Sequence, residues 1–186
     1  QSDLGITGFG VEFSKYYISS NRLGDNQRAI ASLFLEHRFQ FFNNIFDVTP
    51  GISASYFSDF DNQVFPGLDL GVQITDKFRA YGNIGTSYRV PTYTNLYYTS
   101  PTTISNPDLN TEEAFSQEVG FKYLSKKFNM SVAFFNRDAD NLIDYVRENT
   151  TDAWQAKNIQ SVNTKGYETH LDYFFSINKL PQKIQL

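Results

Sequence analysis

The chain lacks the residues from which many catalytic and metal sites are made. Among its 186 residues there is no cysteine, and His37 and His170 are its two histidines. Without cysteine there is no disulfide and no thiol chemistry, although this absence identifies no cellular compartment. The two histidines are far apart in sequence, and neither has a partner at the spacing typical of a metal site. We therefore expect no bound metal and no cofactor.

Long apolar runs and an excess of positive charge are also missing. No stretch approaches the roughly 18 consecutive apolar residues of a transmembrane helix. The formal net charge of -4 gives no reason to expect a nucleic-acid partner. Residues 1–3 lack the basic start and apolar core of a signal peptide, and residues 183–186 resemble the opening of another strand. We therefore expect an internal piece of a longer protein.

Motifs for enzymatic chemistry are absent as well. Glu112 and Glu113 are paired acids, but adjacent strand residues point to opposite faces, so the two carboxylates cannot converge. No glycine-rich phosphate loop joins a strand to a helix. Residues 59–62 contain alternating side chains with oxygen atoms that could bind calcium, but they lack the glycine and the final glutamate of a calcium-binding loop. A solvated loop tip is the simpler interpretation. We therefore expect that this protein is not an enzyme.

Aromatic residues, by contrast, are abundant. The chain contains 18 Phe and 12 Tyr, and aromatic residues make up 17% of it. Aromatic girdles at the two interfaces of a transmembrane β-barrel would account for this excess. The core of a soluble β-sandwich would account for it equally well, so composition leaves both classes open.

Apolar residues recur with a period of two along most of the chain. In residues 29–41 this period places six apolar side chains on one face: Ala29, Ala31, Leu33, Leu35, Phe39 and Phe41. Only β-strands have that period. About nine such strands follow one another without a crossover helix, which predicts an antiparallel up-and-down meander. Pro50 falls inside one strand, and we expect a bulge or irregular pairing there.

The predicted connections alternate in length, as they do in outer-membrane barrels. The short ones are residues 42–44, 75–77, 125–127 and 176–182, and the longer ones are 19–27, 58–64, 90–111 and 147–156. The second face of the strands carries Glu36, Arg38, Asp47, Asp69, Arg79, Glu118, Lys122, Glu168 and Asp172. These charges suit a water-filled lumen and equally the solvated face of a soluble sheet. The pattern alone does not choose between them.

Four segments in order resemble the late-barrel signature of TonB-dependent outer-membrane receptors. They are SYRVPTYTNLY (87–97), NPDLNTEEAFSQEVGFKY (106–123), FFNRDADNLIDYV (134–146) and NIQSVNTKGYETHLDYFF (158–175). Together they extend over about half of the chain. The resemblance implies structural roles for Arg89, Pro91, Asn106, Pro107, Leu109, Glu112, Glu118, Gly120, Asn158, Gly166 and Glu168.

The resemblance also implies a fold and a function. The fold is all-β, with residues 1–186 forming a partial domain of about nine strands in a transmembrane barrel of about 22 strands. The plug domain and the other strands lie outside this chain. Such receptors lie in the bacterial outer membrane, among its lipids. They bind a scarce small molecule or metal chelate, such as a ferric siderophore or cobalamin. A TonB-type protein supplies the energy for import through the plug.

Two other functions remain as alternatives: a passive outer-membrane channel, and a soluble extracellular β module that binds a partner. Under the receptor hypothesis, the longest loop is the best binding candidate. Val90-Pro91 should end its first strand, and Asn106-Pro107-Asp108 should form a turn. Tyr93, Tyr97 and Tyr98 offer rigid aromatic surface with polar tips for a ligand. They could instead pack the loop onto its neighbours or belong to an interfacial girdle.

Overall fold

A computed structural model describes residues 5–159, 161–177 and 180–185. Nine strands form one antiparallel sheet, in which each strand pairs with the next. They are β1 (Ile6–Ser20), β2 (Gly24–Phe41), β3 (Phe46–Phe57), β4 (Gln63–Thr75), β5 (Phe78–Arg89), β7 (Glu112–Leu124), β8 (Phe128–Asp140), β11 (Val162–Ile177) and β12 (Leu180–Gln185). The predicted nine-stranded meander is confirmed. The other elements, α1 (Tyr93–Tyr97), β6 (Thr103–Ile104), β9 (Ile143–Val146) and β10 (Trp154–Asn158), lie in two long connections.

The connections lie at two ends of the sheet. At one, which we call the turn end, residues 42–45, 76–77 and 125–127 join the strands. At the other, the loop end, the connections are residues 21–23, 58–62, 90–111 and the segment between β8 and β11. The expected long loop at 19–27 is wrong, because β1 and β2 stay paired up to Ser20 and Gly24. Gly24 has a φ of 71°, a left-handed conformation that glycine adopts readily and that permits the tight turn. The segment 178–179, within the predicted turn 176–182, lies outside the described residues.

Pro50 interrupts the sheet as expected, although it causes no bulge. Pairing between β2 and β3 is continuous from Ile30↔Phe57 to Glu36↔Gly51 and resumes at Phe39↔Val48 in the same register. On the other side, Pro50 pairs with Leu68 of β4 without a break. Proline has no N–H to donate, so it can be accommodated where one ladder is open. The pairing is therefore irregular, and the alternation of faces is preserved.

One face of the sheet is apolar and uncovered. A single row across the strands contains Phe39, Val48, Leu70, Gly82, Val119, Phe134 and Tyr167. Phe9, Phe13 and Tyr167 on this face are 77%, 80% and 82% exposed. Soluble proteins rarely expose a continuous apolar surface this large, whereas lipid covers such a surface on a membrane barrel. We call it the outer face and the opposite one the inner face.

The inner face carries most of the charged side chains of the strands, and several of them are paired. Asp47 is buried to 6% exposure and binds two cations, with Arg38 at 3.3 Å and Arg79 at 2.5 Å. Arg79 on β5 reaches Asp47 on β3 across β4, directly over Gly71. A Cβ added at Gly71 would lie 1.9 Å from an Arg79 nitrogen. Gly71 therefore leaves the space in which this ion pair forms.

Buried apolar residues in the sheet strands include Phe57, Ala114, Ala133 and Ala139, whereas a small packed hydrophobic cluster lies at the loop end. Its buried residues are Leu96, Leu109 and Ala156, which come from three different segments. No helix in the described part of the chain is long and apolar enough to cross a membrane.

Candidate ligand-binding site

The two longest connections at the loop end fold into one unit, which we call the loop cap (residues 90–111 and 141–159). β6 from the first connection pairs with β10 from the second, in parallel, through Trp154↔Thr103 and Gln155↔Ile104. β10 then pairs antiparallel with β9, from Gln155↔Val146 to Asn158↔Ile143. The segment predicted as a loop at 147–156 therefore ends in a strand. Because the small sheet contains strands from both connections, these two loops form one structural element.

A shared core joins the two halves of the loop cap. Leu96 is 3% exposed, Leu109 4% and Ala156 1%, and Phe60 packs against them from the neighbouring loop. Leu109 is one of the residues to which the family resemblance gives a structural role. Burial of each leucine side chain stabilises the loop cap by roughly 1–3 kcal/mol, and burial of the smaller alanine side chain stabilises it by less. The cap thus has a preformed shape.

A short helix, α1, presents the candidate tyrosines. Thr92 is its N-cap: the Thr92 hydroxyl accepts from the Asn95 N–H at 3.2 Å, and the Asn95 amide oxygen accepts from the Thr92 N–H at 3.1 Å. This reciprocal arrangement is a capping box. We predicted an irregular loop here and missed the helix. The Thr-x-x-Asn spacing was the available signal.

An ion pair closes the foot of the loop cap. Arg89 ends β5 and Glu112 begins β7, and the Arg89 guanidinium binds the carboxylate with both Nε and Nη2. Glu112 also accepts the Ile143 N–H at 2.8 Å, so it holds the second connection too. Glu112 and Glu113 are two adjacent acids, a sequence feature that predicts a solvated foot of the loop. That prediction is wrong for Glu112, because its side chain is buried against these donors.

Asparagine side chains substitute for missing backbone pairs. Asn158 exchanges two hydrogen bonds with the backbone of Asn110, at 2.8 and 3.1 Å, and donates to the Asn141 carbonyl at 2.6 Å. Asn141 has a φ of 55°, which ends β8. The Asn106 side chain accepts the Asp108 N–H at 2.9 Å, so the predicted turn around exposed Pro107 is present. Pro91, which follows the end of β5 as expected, is fully buried.

The three candidate tyrosines differ in what they offer to a ligand. The Tyr93 hydroxyl is buried without a hydrogen-bond partner, and burial is the largest factor that raises its pKa above the ordinary value. The Tyr98 hydroxyl accepts a hydrogen bond from Arg22 at 2.8 Å. Tyr97 stacks on Tyr93 at 6.3 Å between ring centroids and is 39% exposed. The ring of Tyr97 is therefore the most available of the three.

Sequence reasoning missed two cations that organise this region. Arg22, at the tip of the β1–β2 turn, lies 5.8 Å from the Tyr98 ring. Arg147 lies 4.4 Å from the ring of Trp154, which is 41% exposed. The Arg22 contact joins two separate connections, and the Arg147 contact lies between the end of β9 and the start of β10.

The other motif residues belong to the sheet. Glu118 pairs with Asn83 on the inner face, and Glu168 pairs with Ala133. Gly120 and Gly166 lie beneath aromatic rings of the neighbouring strands: an added Cβ would be 2.6 Å from Tyr81 and 2.6 Å from Phe135. Glycine at these two positions lets an aromatic ring lie flat on the inner wall. All four lie in the strands of the sheet, outside the loop cap.

Within the described residues, no group of three or more His, Asp or Glu side chains could hold a metal ion. His37 lies on the apolar face as expected, 4.3 Å from the Phe39 ring, and shares a hydrogen bond with Thr7 at 2.7 Å. His170 lies 3.3 Å from Asp172. Asp59 in the acidic loop tip is paired with Arg28 at 2.9 Å. The site offers aromatic, amide and hydroxyl groups, which are chemically suited to contact with a small molecule.

An antiparallel meander with an apolar outer face, a charged inner face and a folded cap at one end defines part of a transmembrane β-barrel. The sheet does not close on itself, since β1 and β12 are its two edges. A model of the TonB dependent receptor-like β-barrel matches residues 2–182. The chain therefore belongs to the TonB-dependent receptor family. A passive channel and a soluble binding module are not favoured.

Curated relatives are cobalamin transporters by name. The chain is 28% identical over 173 residues to the vitamin B12 transporter BtuB of Vibrio vulnificus, covering 88% of this chain and 27% of that protein. It is 24% identical over 104 residues to the same-named protein of Photobacterium profundum, covering 54% of this chain and 17% of that protein. The chain thus spans about a quarter of the length of the first of these relatives.

Solved structures with the same fold include a siderophore receptor and a hemophore receptor. The siderophore receptor PirA of Pseudomonas aeruginosa has a TM-score of 0.79 at 18% identity, covering 96% of this chain and 36% of that one. The hemophore receptor HasR of Serratia marcescens has a TM-score of 0.79 at 17% identity, covering 90% and 36%. At these identities the likeness shows the fold alone.

Proposed function

We propose that this chain is part of an outer-membrane receptor that binds a scarce small molecule at its loop end and imports it. The ligand belongs to the cobalamin or ferric siderophore class, and a TonB-type protein supplies the energy through a plug outside this chain. The named relatives support this ligand class. The loop cap supports the binding role: a folded aromatic platform over a polar wall.

The proposed binding role rests on the different environments of the three tyrosines. Tyr93 is held inside the loop cap and Tyr98 is held by Arg22, while Tyr97 exposes its ring next to them. A rigid, partly exposed aromatic ring gives contact area with little loss of conformational entropy. Tyr97 is therefore the proposed contact residue, and Tyr93 and Tyr98 fix its position.

Equilibrium binding to cells that express the complete receptor tests this proposal. Radiolabelled cyanocobalamin and a ferric catecholate siderophore are the two probes, and surface receptor is counted with an antibody. Tyr97→Ala should weaken binding of the true ligand by about 1–3 kcal/mol, the range of an interface anchor.

Tyr167→Ala is the matched control, because Tyr167 is 82% exposed on the outer face and far from the loop cap in the sheet. It should bind ligand like the unmodified receptor. If neither probe binds to the unmodified receptor, the proposed ligand class is wrong. If Tyr97→Ala and Tyr167→Ala bind equally well, Tyr97 is not a contact residue.

A further inference from the structure

Arg28 is a buried cation on the inner face of the nine-stranded sheet, which we also call the wall, and it lies in none of the sequence motifs. It lies on β2, on the same face as Ile30 and Ser32, and is 7% exposed. Burial of an unpaired guanidinium is strongly unfavourable, so its partners must compensate for the lost hydration. Those partners come from two different connections at the loop end.

The first partner is Asp59, in the loop between β3 and β4. The Arg28 Nε lies 2.9 Å from each oxygen of the Asp59 carboxylate. This pair is mostly shielded from water, so salt screens it less than a surface ion pair. The next residue, Phe60, places its ring centroid 5.0 Å from the guanidinium carbon and packs on the core of the loop cap.

The second set of partners belongs to the start of the loop cap. The Arg28 Nη1 donates to the carbonyl of fully buried Pro91 at 3.1 Å. The Tyr93 ring centroid lies 5.2 Å from the guanidinium carbon. Arg28 therefore contacts Pro91, two residues before α1, and Tyr93, the first residue within it. The Tyr93 ring in turn stacks on that of Tyr97.

We infer that Arg28 is a positioning residue, which fixes α1 against the barrel wall and so sets the place of the Tyr97 ring. A guanidinium suits this role, because its Nε binds a carboxylate, its Nη1 binds a carbonyl, and the same group contacts two rings. Lysine would keep the charge and lose this geometry. The effect of Arg28 on ligand affinity rests on the proposed function, whereas its effect on α1 does not.

The test uses the complete receptor in lipid vesicles, with a nitroxide attached at Thr94→Cys, an exposed position on α1. This chain has no cysteine of its own. Arg28→Lys should increase the mobile component of the electron paramagnetic resonance spectrum. Arg38→Lys is the matched control: Arg38 is on the same strand and face, but it pairs with Asp47, away from the loop cap. Its spectrum should match that of the unmodified receptor.

Uptake kinetics with radiolabelled cyanocobalamin or a ferric siderophore give the second measurement. Arg28→Lys should raise the half-saturating concentration about tenfold, as expected for loss of stacking and forked hydrogen bonds at one side chain. The maximal rate per folded receptor, counted by heat-modifiable electrophoretic mobility, should be unchanged. An unchanged spectrum would overturn the inference. A mobile α1 with unchanged half-saturation would support the fixing of α1 by Arg28 and would refute Tyr97 as the ligand contact. Failure of the unmodified receptor to bind either probe would refute the proposed function, and the spectrum would still decide whether Arg28 fixes α1.

Discussion

Substitution of Val132 by arginine tests which face of the sheet meets lipid. Val132 pairs with Phe121 and Thr169 on the outer face. Along β8 the outward positions are Phe128, Met130, Val132 and Phe134, followed by the polar Asn136 and Asp138. Four outward residues extend over roughly 20 Å of strand at about 3.4 Å per residue. Val132 is therefore inside the apolar band, away from both of its edges.

An arginine near the middle of the hydrocarbon layer costs about 2–4 kcal/mol in a transmembrane barrel, and the cost falls toward the interfaces. We expect Val132→Arg to destabilise the complete receptor by about this amount. The control is Ser131→Arg on the same strand at nearly the same depth. Ser131 lies on the inner face between Lys122 and His170. Repulsion among these groups in a water-filled lumen should stay below about 1 kcal/mol.

The assay is urea-dependent folding into phospholipid vesicles, followed by the electrophoretic mobility of the folded barrel. Equal destabilisation by the two arginines would refute the assignment of faces. Greater destabilisation by Ser131→Arg would reverse it.

Three further predictions concern the wall, the loop cap and the sheet edges. Gly71→Ala should reduce the free energy of unfolding by about 1–3 kcal/mol, because its Cβ would displace Arg79 from Asp47. Gly67→Ala on the same strand should be nearly neutral, since its Cβ would lie 3.6 Å from the nearest atom, the Ile84 carbonyl oxygen. Equal urea midpoints for the two variants would contradict this reasoning. Replacement of Thr92–Ser105 by a short Gly-Ser linker should leave insertion intact but should lower ligand affinity by about 1–3 kcal/mol. It should also expose residues 141–159 to limited proteolysis, because Leu96 and β6 are removed. Unchanged ligand binding would place the site elsewhere. The isolated 186-residue chain should associate through its free edges, and sedimentation as a monodisperse monomer in plain buffer would contradict a membrane wall.

The wall could be predicted from sequence because its geometry is local. A period of two is a property of each strand on its own, and short turns then fix the register of its neighbour. The strand Phe78–Arg89 has the predicted bounds. The turn at 21–23 was predicted too long because its flanking residues are polar, although their backbone remains paired.

The loop cap could not be predicted in the same way, because contacts between distant residues determine it. β6 has two residues, and it pairs with β10 where Thr103 meets Trp154. β10 is also short, and its other partner is β9. Arg28 reaches Pro91 across 63 residues. Glu112 looked like a solvated acid until the structure placed Arg89 and the Ile143 N–H beside it. Alternation and turn propensity carry no information about such pairs.

The central claim is that this wall and loop cap belong to a receptor whose import of ligand is driven by a TonB-type protein. The most direct measurement is the uptake of radiolabelled cyanocobalamin and ferric siderophore by cells expressing the complete receptor, with and without the TonB-type protein. We predict saturable accumulation of one of these ligands only when that protein is present, and surface binding in both strains. Equal, non-saturating uptake in both strains would show a passive channel and contradict the account.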